Sequence, residues 1–239
     1  MKVAVVTPTI GSPYLDECLI SVQEQTYDDV VHYVFIDGQE YKNKVIDSIF
    51  KYGGVKPVET VSLSHNIGKG WYGHRVYAAC SFLVDADVIC YLDEDNWIKP
   101  NHIESLVKCL NNGLQWAYSL RTIHDKNGKF LCEDNCESLG HWPVYFDKSV
   151  YHIDTSCFAI RRDIAVHVGH AWYEQWGADR KFFSILKHYF PNYMCSHDYS
   201  LSYRLDGNEN SVNQEFFDRG NQLNSLYYNN KFPWKTKRE

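Results

Sequence analysis

Val88-Ile89-Cys90-Tyr91-Leu92-Asp93-Glu94-Asp95-Asn96 is the stretch on which the rest of the chain turns. Val88 to Leu92 is apolar at every position, so both faces of a strand here must be covered, as in a parallel sheet layered by helices. The run then stops abruptly in three acids and an asparagine. In open α/β sheets, ligands bind beyond the carboxyl ends of the strands. An acidic cluster at such an end is therefore a candidate site as well as a strand boundary.

Working outward, the same pattern recurs on the N-terminal side. Val3 to Thr7 is a valine-rich strand, followed by the loop Gly11-Ser12-Pro13 and a helical stripe of Leu15, Cys18, Leu19 and Val22. Val30 to Ile36 is a second buried strand, stopped by Asp37-Gly38, with a helix carrying Val45, Ile46, Ile49 and Phe50 behind it. Val58 to Leu63 alternates as a third strand ahead of Ser64-His65-Asn66. Arg75 to Leu83 reads as a helix, and Pro100 opens another with Ile103, Leu106, Val107 and Leu110 on one face. Repeated β-α units predict a mostly parallel α/β sheet with helices on both faces.

After residue 114 the pattern changes. Trp116 to Ile123, the turn Lys126-Asn127-Gly128-Lys129 and Phe130 to Cys132 read as a hairpin. Ser156 to Ile160 reads as a strand, Trp172 to Tyr189 as helical around Gly177, and Val212 to Tyr227 as a helix. No internal repeat or low-complexity linker divides the chain, which predicts one compact domain.

Composition narrows the functions. The chain has 239 residues, with 24 Lys and Arg against 30 Asp and Glu, for a formal charge of -6. That balance argues against a nucleic-acid partner, which selects a basic face. Hydrophobic residues at 44% and charged residues at 23% are those of a globular protein. No apolar run reaches the ~18 residues of a membrane span. The opening apolar run is stopped by Pro8, too soon for a signal peptide, so a cytoplasmic protein with reduced cysteines is expected. The eight cysteines are scattered, with neither zinc-site nor disulfide-framework spacing.

The strand ends carry the chemistry. Thr7-Pro8-Thr9, Asp37-Gly38, Ser64-His65-Asn66 and Asp93-Glu94-Asp95-Asn96 fall on one rim if the sheet is parallel. Side chains alternate in an extended segment, so Asp93 and Asp95 can face the same side. Two adjacent acids repel unless a cation or donor lies between them, and oxygen ligands select hard cations such as Mg2+ or Mn2+, which also take phosphate oxygens. The competing reading is a solvated acidic turn preceding a helix. There is no Gly-x-x-x-x-Gly-Lys-Ser/Thr loop, and no Gly-x-Gly-x-x-Gly after the first strand, which disfavours P-loop and dinucleotide enzymes. The glycines at 68, 70 and 73 suit a loop whose backbone approaches a ligand.

Taken together these residues resemble the family-2 glycosyltransferases of GT-A fold. The resemblance rests on Val3 to Thr9, Tyr14-Leu15 to Ser21-Val22, Gln25-Thr26-Tyr27, Phe35-Ile36-Asp37-Gly38, Asn66-Ile67-Gly68 with Arg75, and Leu92 to Asn96 followed by Pro100 to Ile103. It continues more loosely through Ile153 to Ser156 with Arg161-Arg162, and through Gly177-Ala178-Asp179. It implies a single GT-A domain, with residues 1–110 as the nucleotide-sugar-binding half and 111–239 as the acceptor-side half.

The resemblance also implies roles. Thr7, Pro8 and Thr9 would line the nucleotide pocket, with Asn66 from the Gly-rich loop. Asp37 would accept from the base, usually uracil. Arg75 would frame the nucleotide or phosphate. Asp93 would lie near ribose and metal, and Asp95 would bind Mn2+ or Mg2+. Asp179 would be the base that deprotonates the acceptor, although Ala178 departs from the family's preceding acid. His197 is a candidate third metal ligand, and His152 a second one. The implied reaction is inverting transfer from a nucleotide-diphosphate sugar donor to a glycan or other hydroxyl acceptor. Two alternatives stand beside it: a sugar nucleotidyltransferase, which lacks its basic Gly-rich signature here, and a non-catalytic carbohydrate- or protein-binding module.

Overall fold

The fold was obtained as a computed structural model, which describes residues 1–205 and 212–236. β1 (Val3–Thr9), β2 (Val30–Ile36) and β4 (Val88–Tyr91) are buried at every position, which explains their unbroken apolar reading. β3 (Val58–Ser62) is half-exposed because it forms an edge. Alternate residues of β2 enter different layers. Tyr33 and Phe35 join the main core, whereas Val34 and Ile36 pack with Leu15 and Leu19 of α1 (Leu15–Gln23) and Val45 of α2 (Lys42–Tyr52). Each such buried side chain contributes about 1.5–3 kcal/mol.

Among the described residues the sheet has nine strands, in the order β3-β2-β1-β4-β8-β6-β9-β5, with β7 paired to β6. The second half of the chain thus extends the first half's sheet. Its strands are β5 (Trp97–Ile98), β6 (Trp116–His124), β7 (Phe130–Glu133), β8 (Phe158–Arg161) and β9 (Tyr193–Arg204). β1 to β4 are mutually parallel, β8 is antiparallel to β4 and β6, and β9 is parallel to β6. Most strands therefore share one direction, with β5, β7 and β8 reversed. This is the single α/β domain that the sequence predicts.

The remaining helices are α3 (His74–Leu83), α4 (His102–Leu110), α5 (Arg162–Val168), α6 (Ala178–Tyr189) and α7 (Gln214–Tyr227). α4 buries Ile103, Leu106, Val107 and Leu110, the stripe its spacing predicts. Three expectations shift. The segment Trp172 to Tyr189 is not one helix: a 3-10 turn ends at Trp172, and α6 begins only after Gly177, whose φ is 83°. Ser156 belongs to a 3-10 turn before β8, so the strand starts at Phe158. β9, the longest strand, was not expected, because Ser196, His197, Asp198, Ser200 and Ser202 break its apolar run.

Candidate active site

The carboxyl ends of β1, β2 and β4 converge on one cleft of about 660 Å³, at the rim the strand pattern predicts. Pro8, Thr9, Asp37, Asn66, Asp93, Asp95 and Asp179 all line it, so residues up to 171 positions apart meet there. That size is ordinary for a small-molecule site.

The cleft's first wall is a loop gripped by a carboxylate. Asp37 accepts from the backbone N–H of Ile67 at 2.8 Å and of Gly68 at 2.7 Å. Gly70, Tyr72 and Gly73 then take left-handed φ values of 72°, 51° and 75°, folding the loop over the cleft. Asn66 lies at its start, and its Oδ1 is buried with no hydrogen-bond partner among the described residues. Arg75 does not line the cleft. Its guanidinium lies 4.0 Å from the Trp71 ring and donates to the Ile67 carbonyl at 3.3 Å, bracing the loop from behind.

Thr7 is likewise turned away. Its hydroxyl pairs with His32 Nε2 at 2.9 Å inside the core, one position short of the rim that Pro8 and Thr9 reach. Thr9 does line the cleft, but its hydroxyl donates to Glu94 at 2.5 Å. Glu94 also accepts from the N–H groups of Ile10 and Ser12. The middle acid of the triplet is therefore a clamp on the β1–α1 loop.

Asp93 and Asp95 flank that clamp. Tyr77 donates its hydroxyl to Asp93 Oδ1 at 2.8 Å, and Ser156 donates to Oδ2 at 3.3 Å. Burial, with Asp95 and Asp154 nearby, holds the Asp93 carboxyl well above the usual carboxylate range. Burial and then Glu94 push Asp95 up to about 6. Acids crowded out of water in this way are the environment a dication relieves. Among the described residues, no group of three or more His, Cys, Asp or Glu side chains is arranged to hold a metal. The pair fits the Mg2+ or Mn2+ pattern in which one or two carboxylates bind and substrate phosphates complete the shell.

His197 is not part of this cluster. β9 bulges where its register against β6 slips, and His197 sits in the bulge at φ 62°. Its Nδ1 donates to the Trp234 carbonyl at 2.8 Å, so its side chain is committed to the C-terminal segment. His152 does reach the cleft, but there its Nε2 faces Asp179 Oδ2 at 3.6 Å. Asp179 opens α6, and its Oδ1 accepts from the Arg180 N–H at 2.7 Å.

Sequence reasoning missed the cleft's buried arginine. Arg121 is 2% exposed and donates to three carboxylates: Nε to Asp134 at 2.8 Å, Nη1 to Asp154 and Nη2 to Glu137, each at 2.6 Å. The available signal was an arginine between Leu120 and Ile123 in the strand Trp116–His124, which must have buried partners. Tyr77 and Ser156, which orient Asp93, carry no such signal.

The profile described as "Glycosyl transferase family 2" matches residues 4–168. The chain belongs to that family. It is 30% identical over 101 residues to an uncharacterized protein of Haemophilus influenzae, covering 35% of this chain and 68% of that one.

Solved structures agree on the fold. S. aureus TarS 1-349 in complex with UDP-GlcNAc superposes with a TM-score of 0.68 at 13% identity, over 95% of this chain and 66% of that one. The mannosyltransferase PcManGT of Pyrobaculum calidifontis, in complex with GDP-Man and Mn2+, gives 0.58 at 11% identity, over 96% of this chain and 64% of that one. The chain thus spans just under two thirds of the length of these two relatives.

Proposed function

We propose that this chain transfers a sugar from a nucleotide-diphosphate donor, UDP-linked, to a hydroxyl of a glycan or other acceptor, with inversion at the anomeric carbon. The observation that carries the reading is the gathering of Asp37, Asp93, Asp95 and Asp179 around one cleft. The bound UDP-GlcNAc and GDP-Man of the two structural relatives support a nucleotide-sugar donor, and the Mn2+ of PcManGT supports a divalent ion.

In this reading residues up to about 110 bind the donor. Asp37 holds the nucleotide loop and presents its remaining lone pairs to the base. Asn66 Oδ1, buried and unpaired, accepts from the nucleoside. Asp95 and Asp93 would hold Mn2+ or Mg2+, which when bound neutralises charge on the leaving diphosphate. Asp179 supplies the acceptor side. The acceptor oxygen bonds to the anomeric carbon while the bond from that carbon to the phosphate oxygen breaks. The bond's electrons leave with the diphosphate, and the acceptor proton passes to Asp179. A positioned base of this kind contributes about 10²–10⁴-fold.

A thermal-shift screen of UDP, GDP, CMP and dTDP compounds with and without Mn2+ tests the proposal. At 100 times Kd a ligand of the native state adds about 2.7 kcal/mol. UDP with Mn2+ is expected to raise Tm most. No shift with any nucleotide in the presence of Mn2+ would remove the donor reading.

A further inference from the structure

We infer that His152 is a positioning residue for Asp179, donating its Nε2–H to the carboxylate that receives the acceptor proton. This deepens the proposed function and rests on Asp179 as the base. His152 is held rigidly. Its carbonyl accepts from the Gly140 N–H at 2.9 Å, its backbone bridges to Ser138, and its side chain is 5% exposed.

The buried ring fixes its own tautomer. Nδ1 is buried and has no hydrogen-bond partner among the described residues, whereas Nε2 faces Asp179 Oδ2 at 3.6 Å. A neutral imidazole carries one N–H. On Nδ1 that proton would be a buried donor with nothing to receive it. On Nε2 it points at a carboxylate. The 3.6 Å separation is longer than a hydrogen bond, and catalytic contacts of this kind tighten when substrate closes the site.

Asp179 is thereby addressed at both oxygens. Oδ1 takes the Arg180 N–H at 2.7 Å, and Oδ2 is left to His152 and the cleft. The nearby Arg180 and His74 are engaged elsewhere. Arg180 reaches Glu137 at 3.5 Å and covers the Trp176 ring, and His74 Nδ1 pairs with the Glu174 carbonyl at 3.0 Å. A base oriented by a third group is the general logic of activated catalytic pairs.

The test has two arms. In the first, two-bond 1H–15N correlation spectra of the uniformly labelled protein report the tautomer of each histidine, with His152 assigned by the signals lost in His152→Gln. The expected result is an Nε2–H tautomer for His152 whose ring signals move in Asp179→Asn, a substitution at a part-exposed site. An Nδ1–H tautomer, or no response to Asp179→Asn, overturns the inference without any need for substrate.

The second arm follows nucleoside diphosphate release from UDP-GlcNAc and from GDP-mannose with Mn2+. His152→Leu is expected to lower kcat roughly 10–100-fold, the usual cost of losing an orienting partner, with donor KM unchanged. His152→Gln, whose amide nitrogen can stand near the place of Nε2, should recover part of that loss. Wild-type kcat in His152→Leu alongside a crippled Asp179→Asn would sink His152 and spare the base. Wild-type kcat in Asp179→Asn would sink the base, and the spectra would still judge the contact.

Discussion

A methyl group on Gly68 would stand 2.4 Å from Asp37 Oδ2, the same oxygen that accepts the Gly68 N–H at 2.7 Å. The loop backbone can reach the carboxylate only because residue 68 has no side chain. Gly68→Ala should therefore push the loop off Asp37 and expose the cleft. Charge-assisted hydrogen bonds are worth about 1.5–3 kcal/mol each, so nucleotide affinity should fall at least about tenfold. Titration calorimetry with UDP and Mn2+ measures it, and unchanged affinity would mean that the loop does not touch the nucleotide.

Asp95 yields a prediction with a definite sign. Its folded pKa, about 6, lies above the ordinary value of about 3.9. Its protonated form is favoured by folding, so its contribution is present below pH ~4 and lost as pH rises through 6. Metal-free Asp95→Asn should thus melt higher than the parent at pH 7.5, with the gap closing by pH 4. For a chain of this size each kcal/mol moves Tm by about 2–4 °C. A lower Tm for the variant at pH 7.5 would contradict the crowding of acids.

Glu94 and Asp95 should separate in function. Glu94→Gln leaves a single acceptor oxygen for three donors, those of Thr9, Ile10 and Ser12. It should weaken nucleotide binding several-fold while leaving the Mn2+ requirement intact. Asp95→Ala should remove the Mn2+ dependence itself. Calorimetry with and without Mn2+ distinguishes them, and loss of the Mn2+ effect in Glu94→Gln would make Glu94 a metal ligand.

Arg121 is the hub of a buried ionic cluster beside the cleft. Arg121→Met takes the cation from buried Asp134 and Asp154 and leaves Glu137 only the more distant Arg180. Removing one partner of a buried ionic group costs about 3–5 kcal/mol. Urea unfolding should report that loss. A change under 1 kcal/mol would mean that water enters the network freely.

Much of this arrangement was legible in the strands. Val3 to Thr9, Val30 to Asp37 and Val88 to Asp95 each change from apolar to polar at the rim, and a parallel sheet turns those transitions into one site. What was hidden has physical reasons. β9 is masked by serines and by the His197 bulge, because its polar groups bond to neighbours such as His102 and Trp234. Thr7 and Arg75 carry the residue types of a pocket, yet their side chains are spent on His32 and on the loop's rear. Spacing locates a residue on a rim; it does not say which way the side chain turns.

The position of β9 has a consequence for biosynthesis. β9 lies between β6 and β5, and its last residue, Arg204, donates its N–H to Asn96 Oδ1 and its Nε–H to the Asp95 carbonyl, both at 3.0 Å. The acidic turn is therefore tied down by a residue made 109 positions later. At the usual ~5–20 residues per second, a nascent chain carries that turn untethered for roughly 5–20 s. The acidic turn is clasped late in translation, and a ribosome that stalls before Arg204 would leave a chain with β1 to β4 made and its acids unclasped.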